Sequence, residues 1–294
     1  MEQQAKTDDS LGAILSNALK FFWSVLKKLW PGYLAVFIPL NIIYWLVLTL
    51  IDSLVGDQMS LLLMLRIANA VDKLLNGTVG LICVIATMLA IRDVEENREF
   101  TLVGTFKQSL SRWGVTFAAL FLVGLATGLL TCFCIVPGII FGIYFAFVAA
   151  IALFGDNTIT GAFSASMALV KDRWWVTLGI IVVLGLLASA ASSPGIIIGV
   201  CCSFPLGIVE ELESSGESVA GLLKFITYVV DFLGTVVSGT FVDITMLFIP
   251  SGIVLLYLRR KARAQSDVSP VQAVLTEQTV ERTAEMISGN QRVA

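Results

Sequence analysis

Two stretches of this 294-residue chain, residues 113–155 and 174–209, run for 43 and 36 positions without a single charged side chain. About 20 apolar residues carry a helix once across a bilayer core. Each run therefore exceeds one crossing, and neither can be hidden in the core of a soluble domain of ordinary size. Composition agrees: 57% of residues are apolar and 14% charged, against roughly 25% charged in a typical soluble chain. A soluble enzyme and a protein held by a single anchor are both excluded. The expected fold class is all-α, a polytopic membrane protein. The chain also has no histidine, which removes Ser-His and Cys-His nucleophile pairs, HExxH zinc sites and His-ligated haem.

Six transmembrane helices are expected, over residues 33–51, 74–91, 115–136, 138–154, 174 to about 192, and 232–258. The third and fourth divide the 43-residue run at Pro137-Gly138. Unbroken, that run would reach about 64 Å at 1.5 Å per residue, twice the ~30 Å hydrocarbon thickness. Residues 1–10 are polar and carry three acids, so no cleavable signal peptide is expected and the first span is retained. Residues 1–263 form the expected membrane domain, and 264–294 a cytoplasmic tail, weakly helical or disordered. In that tail Ser269-Pro270 offers a helix start, and Val271, Val274 and Leu275 a weak apolar face.

Charge sets the orientation. With the N-terminus inside, the inner segments hold sixteen of the nineteen Lys and Arg residues, leaving Arg66, Lys73 and Lys224 outside. Asp52, Asp57, Asp72, Glu210, Glu211, Glu213, Glu217 and Asp231 collect on the outer side. The positive-inside rule then predicts both termini in the cytoplasm, in a bacterial inner membrane. Trp23, Trp30, Trp113, Trp174 and Trp175 fall at the expected inner boundary and only Trp45 does not, in keeping with the preference of indole for headgroups.

A weak three-fold repeat runs through the chain. Gly12-Ala-Ile-Leu-Ser16 leads to Trp23, Gly104-Thr-Phe-Lys-Gln-Ser109 to Trp113, and Gly161-Ala-Phe-Ser-Ala-Ser166 to Trp174. Each lead-in is amphipathic at helical period. In the first, Leu11, Leu15, Leu19, Phe22, Leu26 and Leu29 share a face opposite Lys20, Lys27 and Lys28. Three units are expected, each an amphipathic cytoplasmic interfacial helix followed by two spans; charged linkers that merely look periodic are the alternative.

Ile135-Val-Pro137-Gly138-Ile-Ile-Phe-Gly142 and a short aromatic span, followed by Gly161-Ala162, Ser166, Lys171, Arg173 and Trp174, resemble the bacterial membrane-domain family named after glycerophosphoryl diester phosphodiesterase. Leu256-Tyr257-Leu258-Arg259-Arg260 is similar to the way those domains finish their last helix. The resemblance is best over residues 100–175. It implies a six-helix membrane module, often without assigned activity and sometimes fused to a soluble phosphodiesterase. That catalytic domain is absent here, because too few residues lie outside the membrane and its histidines are missing.

Asp243 is the one acidic residue well inside an expected span, and a carboxylate there costs roughly 2.5–3.5 kcal/mol on insertion scales. It suits a proton or cation site with Asn41 as polar neighbour, unless the sixth span starts near Val242 and leaves it among headgroups. Gly124/Gly128, Gly138/Gly142 and Gly195/Gly199 are spaced for close helix packing. Pro194-Gly195 and Pro205 with Gly207 predict that the fifth helix breaks and that residues 192–209 continue as an irregular or re-entrant stretch, or as the outer end of a long helix. The acidic run 210–217 is read as a solvated turn, with a divalent-cation site as the alternative. Arg259, Arg260, Lys261 and Arg263 form a modest anionic-lipid patch. Cys132 and Cys134 close the third span and Cys201 and Cys202 lie beyond the fifth. Both pairs would face the oxidising side, so one disulfide between the pairs is expected, with Cys83 a free thiol and five inert thiols the alternative.

No catalytic residues, metal ligands or cofactor are expected, and no nucleic acid. The function expected is that of a non-catalytic membrane module that scaffolds a membrane or cytoplasmic protein partner or organises lipid. The alternative is a small transporter or channel-like protein using Asp243 and the 192–209 segment.

Overall fold

The computed structural model describes residues 11–55, 61–155, 159–215 and 221–263. All ordered elements among them are helical. In chain order they are α1 (Leu11–Val55), α2 (Leu61–Leu75), a wide π turn (Asn76–Gly80), α3 (Leu81–Glu95), α4 (Leu102–Phe133), α5 (Ile135–Tyr144), α6 (Val148–Phe154), α7 (Ile159–Lys171), α8 (Trp174–Ser214), α9 (Gly221–Met246) and α10 (248–263). Six segments are long and apolar enough to cross a membrane: Leu15–Ile51, Arg66–Glu95, Leu102–Phe133, Ile135–Phe154, Trp174–Val209 and Gly221–Arg263. The tail 264–294 and part of the acidic run, 216–220, lie outside the described residues.

The core is built from three short helices. Ile85 to Ile91 of α3, Val148 to Leu153 of α6 and Val254 to Tyr257 of α10 are buried together, and lead-in residues Val25 and Leu29 of α1, Ala162 and Val170 of α7 pack on them. Each core helix follows an interruption, and each interruption has its own cause. Before α3 lies Asn76-Gly77-Thr-Val-Gly80, where two glycines weaken the α-helix. Before α6 the chain turns at 145–147; Ser166 Oγ donates to the Tyr144 carbonyl at 2.7 Å and accepts from Phe147 N–H at 3.3 Å, replacing bonds the helix has lost. Before α10, Pro250 has no N–H for the carbonyl of Met246, and Leu247 N–H turns back to Ile244 instead.

Several boundaries differ from expectation. The α4–α5 break falls at Cys134, which is extended at φ −163°, ψ 130°, three residues before Pro137-Gly138. A proline ring clashes with the carbonyl four residues back, here Phe133, but is tolerated in the first turn of a helix, so α5 starts just upstream of Pro137. The fifth span does not break at Ser192. α8 runs for 41 residues through Pro194 and Pro205, and residues 192–209 are helix rather than a re-entrant stretch. Ser193 Oγ donates to the Ala190 carbonyl at 2.8 Å, the acceptor that Pro194 leaves without its N–H.

The lead-ins also differ. The first two are the opening turns of α1 and α4; only the third, α7, is a separate helix. In α1 the buried stripe is Ala18, Phe22, Val25, Leu29, Tyr33, Phe37 and Leu40, whereas Leu19 is 61% exposed. The stripe continues at helical period into the span, so nothing separates lead-in from span. Trp113 Nε1 donates to the Thr78 carbonyl at 2.6 Å, and Val136 shares a pocket with Trp174 and Trp175. In both cases residues expected at opposite ends of their spans are neighbours. The stretch of α4 beside α3 thus begins near Leu102 rather than Val115, and Trp113 is bonded to the π turn, whereas Trp175 is 77% exposed.

Candidate functional site

Asp243 lies three residues before the end of α9 and is bonded from two other helices. Asn41 of α1 donates its Nδ2 to Asp243 Oδ2 at 2.9 Å and to its own Phe37 carbonyl at 2.9 Å. The backbone allows this because Gly239, one turn before Asp243, has no side chain where the Asn41 amide sits. Asn41 is therefore the neighbour of Asp243 that the sequence suggested, and Asp243 is in the helical interior of the Gly221–Arg263 segment rather than at its start. Asn76, in the π turn, was not singled out from sequence. Its Nδ2 reaches Asp72 Oδ1 at 2.9 Å and Asp243 Oδ1 at 3.4 Å. The Asn-Gly dipeptide inside an apolar stretch was the available signal.

A small cavity of about 130 Å³ opens beside this cluster, lined by Asn76, Gly80 and Asp243 with apolar Val84, Met246 and Leu247. The side-chain partners of Asp243 among the described residues are the amides of Asn41 and Asn76, with no Lys or Arg against it.

A second carboxylate in α9, expected in the outer segment, is treated differently. Asp231 accepts from Trp45 Nε1 at 2.9 Å and from Ser203 Oγ at 2.6 Å, one donor for each oxygen. Trp45 also meets Phe232 edge-on with centroids 4.9 Å apart. This three-way contact fastens α1, α8 and α9 and explains the one tryptophan that did not fit the boundary pattern.

At the other end of the core, Arg260 stacks over Phe147 at 5.3 Å and donates from Nη1 to the Leu169 carbonyl at 3.0 Å. Arg92 lies 5.2 Å over Phe154 while bonded to Asp93, and Phe154 stacks on Tyr257 at 6.1 Å. Arg259 and Arg260 are both 4% exposed. They therefore tie α10 into the core rather than forming an open lipid patch.

The expected disulfide is not formed: Cys132, Cys134, Cys201 and Cys202 are all free thiols, as is Cys83. The physical reason is clearest at Cys202, whose side chain fills the space over Gly234 of α9 and so faces that helix. Of the acidic run expected as a turn, Glu210, Glu211 and Glu213 instead belong to the last turns of α8, which runs on to Ser214, and no cluster of three His, Cys, Asp or Glu side chains able to hold a metal occurs among the described residues. Of the glycine pairs, Gly138 meets Thr131 and Gly142 meets Thr127 across the α4–α5 hairpin. Gly195 and Gly199 meet Phe241 and Ser238 of α9, and Gly124 and Gly128 face open space.

Beside the α1 lead-in lies an apolar groove of about 470 Å³, walled by Leu15, Leu19 and Phe22, by Leu187 and Ala191 of α8, and by Phe248. Comparison with protein-family models, with curated proteins and with solved structures finds no match.

Proposed function

We propose that this chain is a non-catalytic membrane module that organises lipid, in a bacterial inner membrane with both termini in the cytoplasm. The observation that carries the proposal is the groove between α1, α8 and the α9–α10 junction. Its volume falls within the ~300–1,000 Å³ of small-ligand sites, and among its described lining residues just Ser16 and Thr245 have side chains able to hydrogen-bond. An alkyl chain is the occupant such walls match. One turn further along α1, Lys27 Nζ sits 5.6 Å over the ring of Trp23, and both are exposed. An indole and an ammonium on one helix face suit the ester and phosphate of a phospholipid headgroup.

The test is to fill the groove. Ser16→Trp and Ala191→Trp, both at exposed groove positions and purified with minimal detergent, are expected to keep their helicity and elution volume but to lose phospholipid that the wild-type protein retains in native mass spectrometry. Equal retention by wild type and both variants would remove the groove as the basis of this function.

A further inference from the structure

Irregular backbone at membrane depth persists where it is packed in protein or lines a cavity, and ion sites in membrane proteins recur beside such breaks. Here two interruptions face one cavity: the π turn Asn76–Gly80 and the α9–α10 junction at Met246 and Leu247. Asp243 is at the wall between them. Its Oδ2 has a full-strength partner in Asn41, but its Oδ1 has only the 3.4 Å approach of Asn76 Nδ2, a group better bonded to Asp72. Asp231, twelve residues earlier on the same helix, shows what a carboxylate satisfied by neutral donors looks like, with both oxygens bonded at 2.9 Å or less. Asp243 falls short of that and has a cavity where the missing partner would sit. The Asn76 Oδ1 atom is buried beside it without a hydrogen-bond partner.

We propose that this cavity binds a monovalent metal cation of the sodium or potassium class, held by Asp243 Oδ1 and the side-chain oxygen of Asn76, with Asn41 bracing the other carboxylate oxygen from outside the cavity. One carboxylate surrounded by neutral oxygens balances a single positive charge, whereas calcium sites assemble several carboxylates. Asp72 is exposed and does not line the cavity, touching the site only through Asn76 Nδ2, so the cavity itself carries one carboxylate. Asn76 Oδ1, buried without a hydrogen-bond partner next to Gly80 at the cavity wall, presents an oxygen to the ion while its Nδ2 stays on Asp72 and Asp243. A volume of about 130 Å³ admits the ion with a few waters, at roughly 30 Å³ each. Gly80, buried at the cavity wall, keeps the space open, since a Cβ there would press on the Asn76 amide. The site is independent of the lipid groove and does not require that the ion be transported.

The experiment uses the purified full-length protein in choline chloride, with sodium or potassium chloride replacing choline at constant ionic strength. A ligand that binds only the folded state raises Tm in a saturable way. The expected result is such a rise with one or both metal cations, lost in Asp243→Asn and weakened in Asn76→Ala. Direct ²²Na⁺ or ⁸⁶Rb⁺ binding to the wild-type protein gives a readout that does not depend on either variant folding. No metal-cation dependence in wild type by both methods would overturn the assignment. So would an equal dependence in Asp243→Asn, or a response to pH alone, which would make Asp243 a site for a proton. Lipid retention in the groove variants is read by mass spectrometry, so failure there leaves these outcomes unchanged.

Discussion

Ser166 is fully buried in α7, and its hydroxyl serves two backbone groups of another segment, the Tyr144 carbonyl at 2.7 Å and the Phe147 N–H at 3.3 Å. Ser166→Ala removes both. A buried polar group left without a partner costs about 1–3 kcal/mol. The carbonyl bond is short and contributes most of this, while the N–H bond is long and contributes less, so the expected loss is about 2 kcal/mol. For a protein of this size that corresponds to a fall in Tm of roughly 4–8 °C. The assay is unfolding in a fixed detergent by heat and by SDS titration, with Ser164→Ala as control. Ser164 Oγ bonds only its own Gly161 carbonyl, at 3.0 Å on an exposed face, and its removal is expected to stay within about 0.5 kcal/mol. Equal stability of the two variants would refute the account of the 145–147 turn, because it would mean the turn is held by apolar packing of α6 and not by the hydroxyl.

Other expectations follow from the same packing. Gly234→Leu, which competes with Cys202 for one space, is expected to destabilise by at least about 2 kcal/mol, whereas Gly124→Leu, facing open space, is expected to leave Tm unchanged; both are read by the same unfolding assay. Ser193→Ala is expected to destabilise α8 by about 1 kcal/mol, and Ser193→Ala with Pro194→Ala to recover at least that amount, since the backbone N–H then serves Ala190; failure to recover would detach the serine from the proline. Alkylation without prior reduction is expected to label Cys201 faster than Cys202 and to leave Cys83 unlabelled until unfolding, while intact-mass detection of a disulfide would contradict the free thiols. Reporter fusions after Val94, Gly155 and Arg263 are expected on one side of the membrane, because Arg92, Phe154 and Tyr257 meet; charge places that side in the cytoplasm, and a fusion after Ser215 on the same side would break the model.

What could be read from sequence and what could not divides along a physical line. Apolar length and charge asymmetry are sums over many residues, so six membrane-length helical segments were legible from composition alone. Asp243 was legible as well, because one carboxylate in an apolar run is conspicuous against the cost of placing it there. Two of the misread stretches depended on which backbone group a single side chain satisfies. Pro194 looked like a break because a proline removes one N–H, but the residue before it is a serine that supplies the missing donor. Nothing in periodicity distinguishes that serine from any other. Residues 145–147 looked unbroken because Phe-Ala-Phe carries no turn signal, and the hydroxyl that stabilises the interruption comes from Ser166, nineteen positions beyond Phe147. Asn76 escaped notice for a related reason: its partner Asp243 is 167 residues away, and only the folded arrangement puts the two interruptions on opposite walls of one cavity. Helix ends in such a chain are therefore decided by tertiary hydrogen bonds as much as by local propensity.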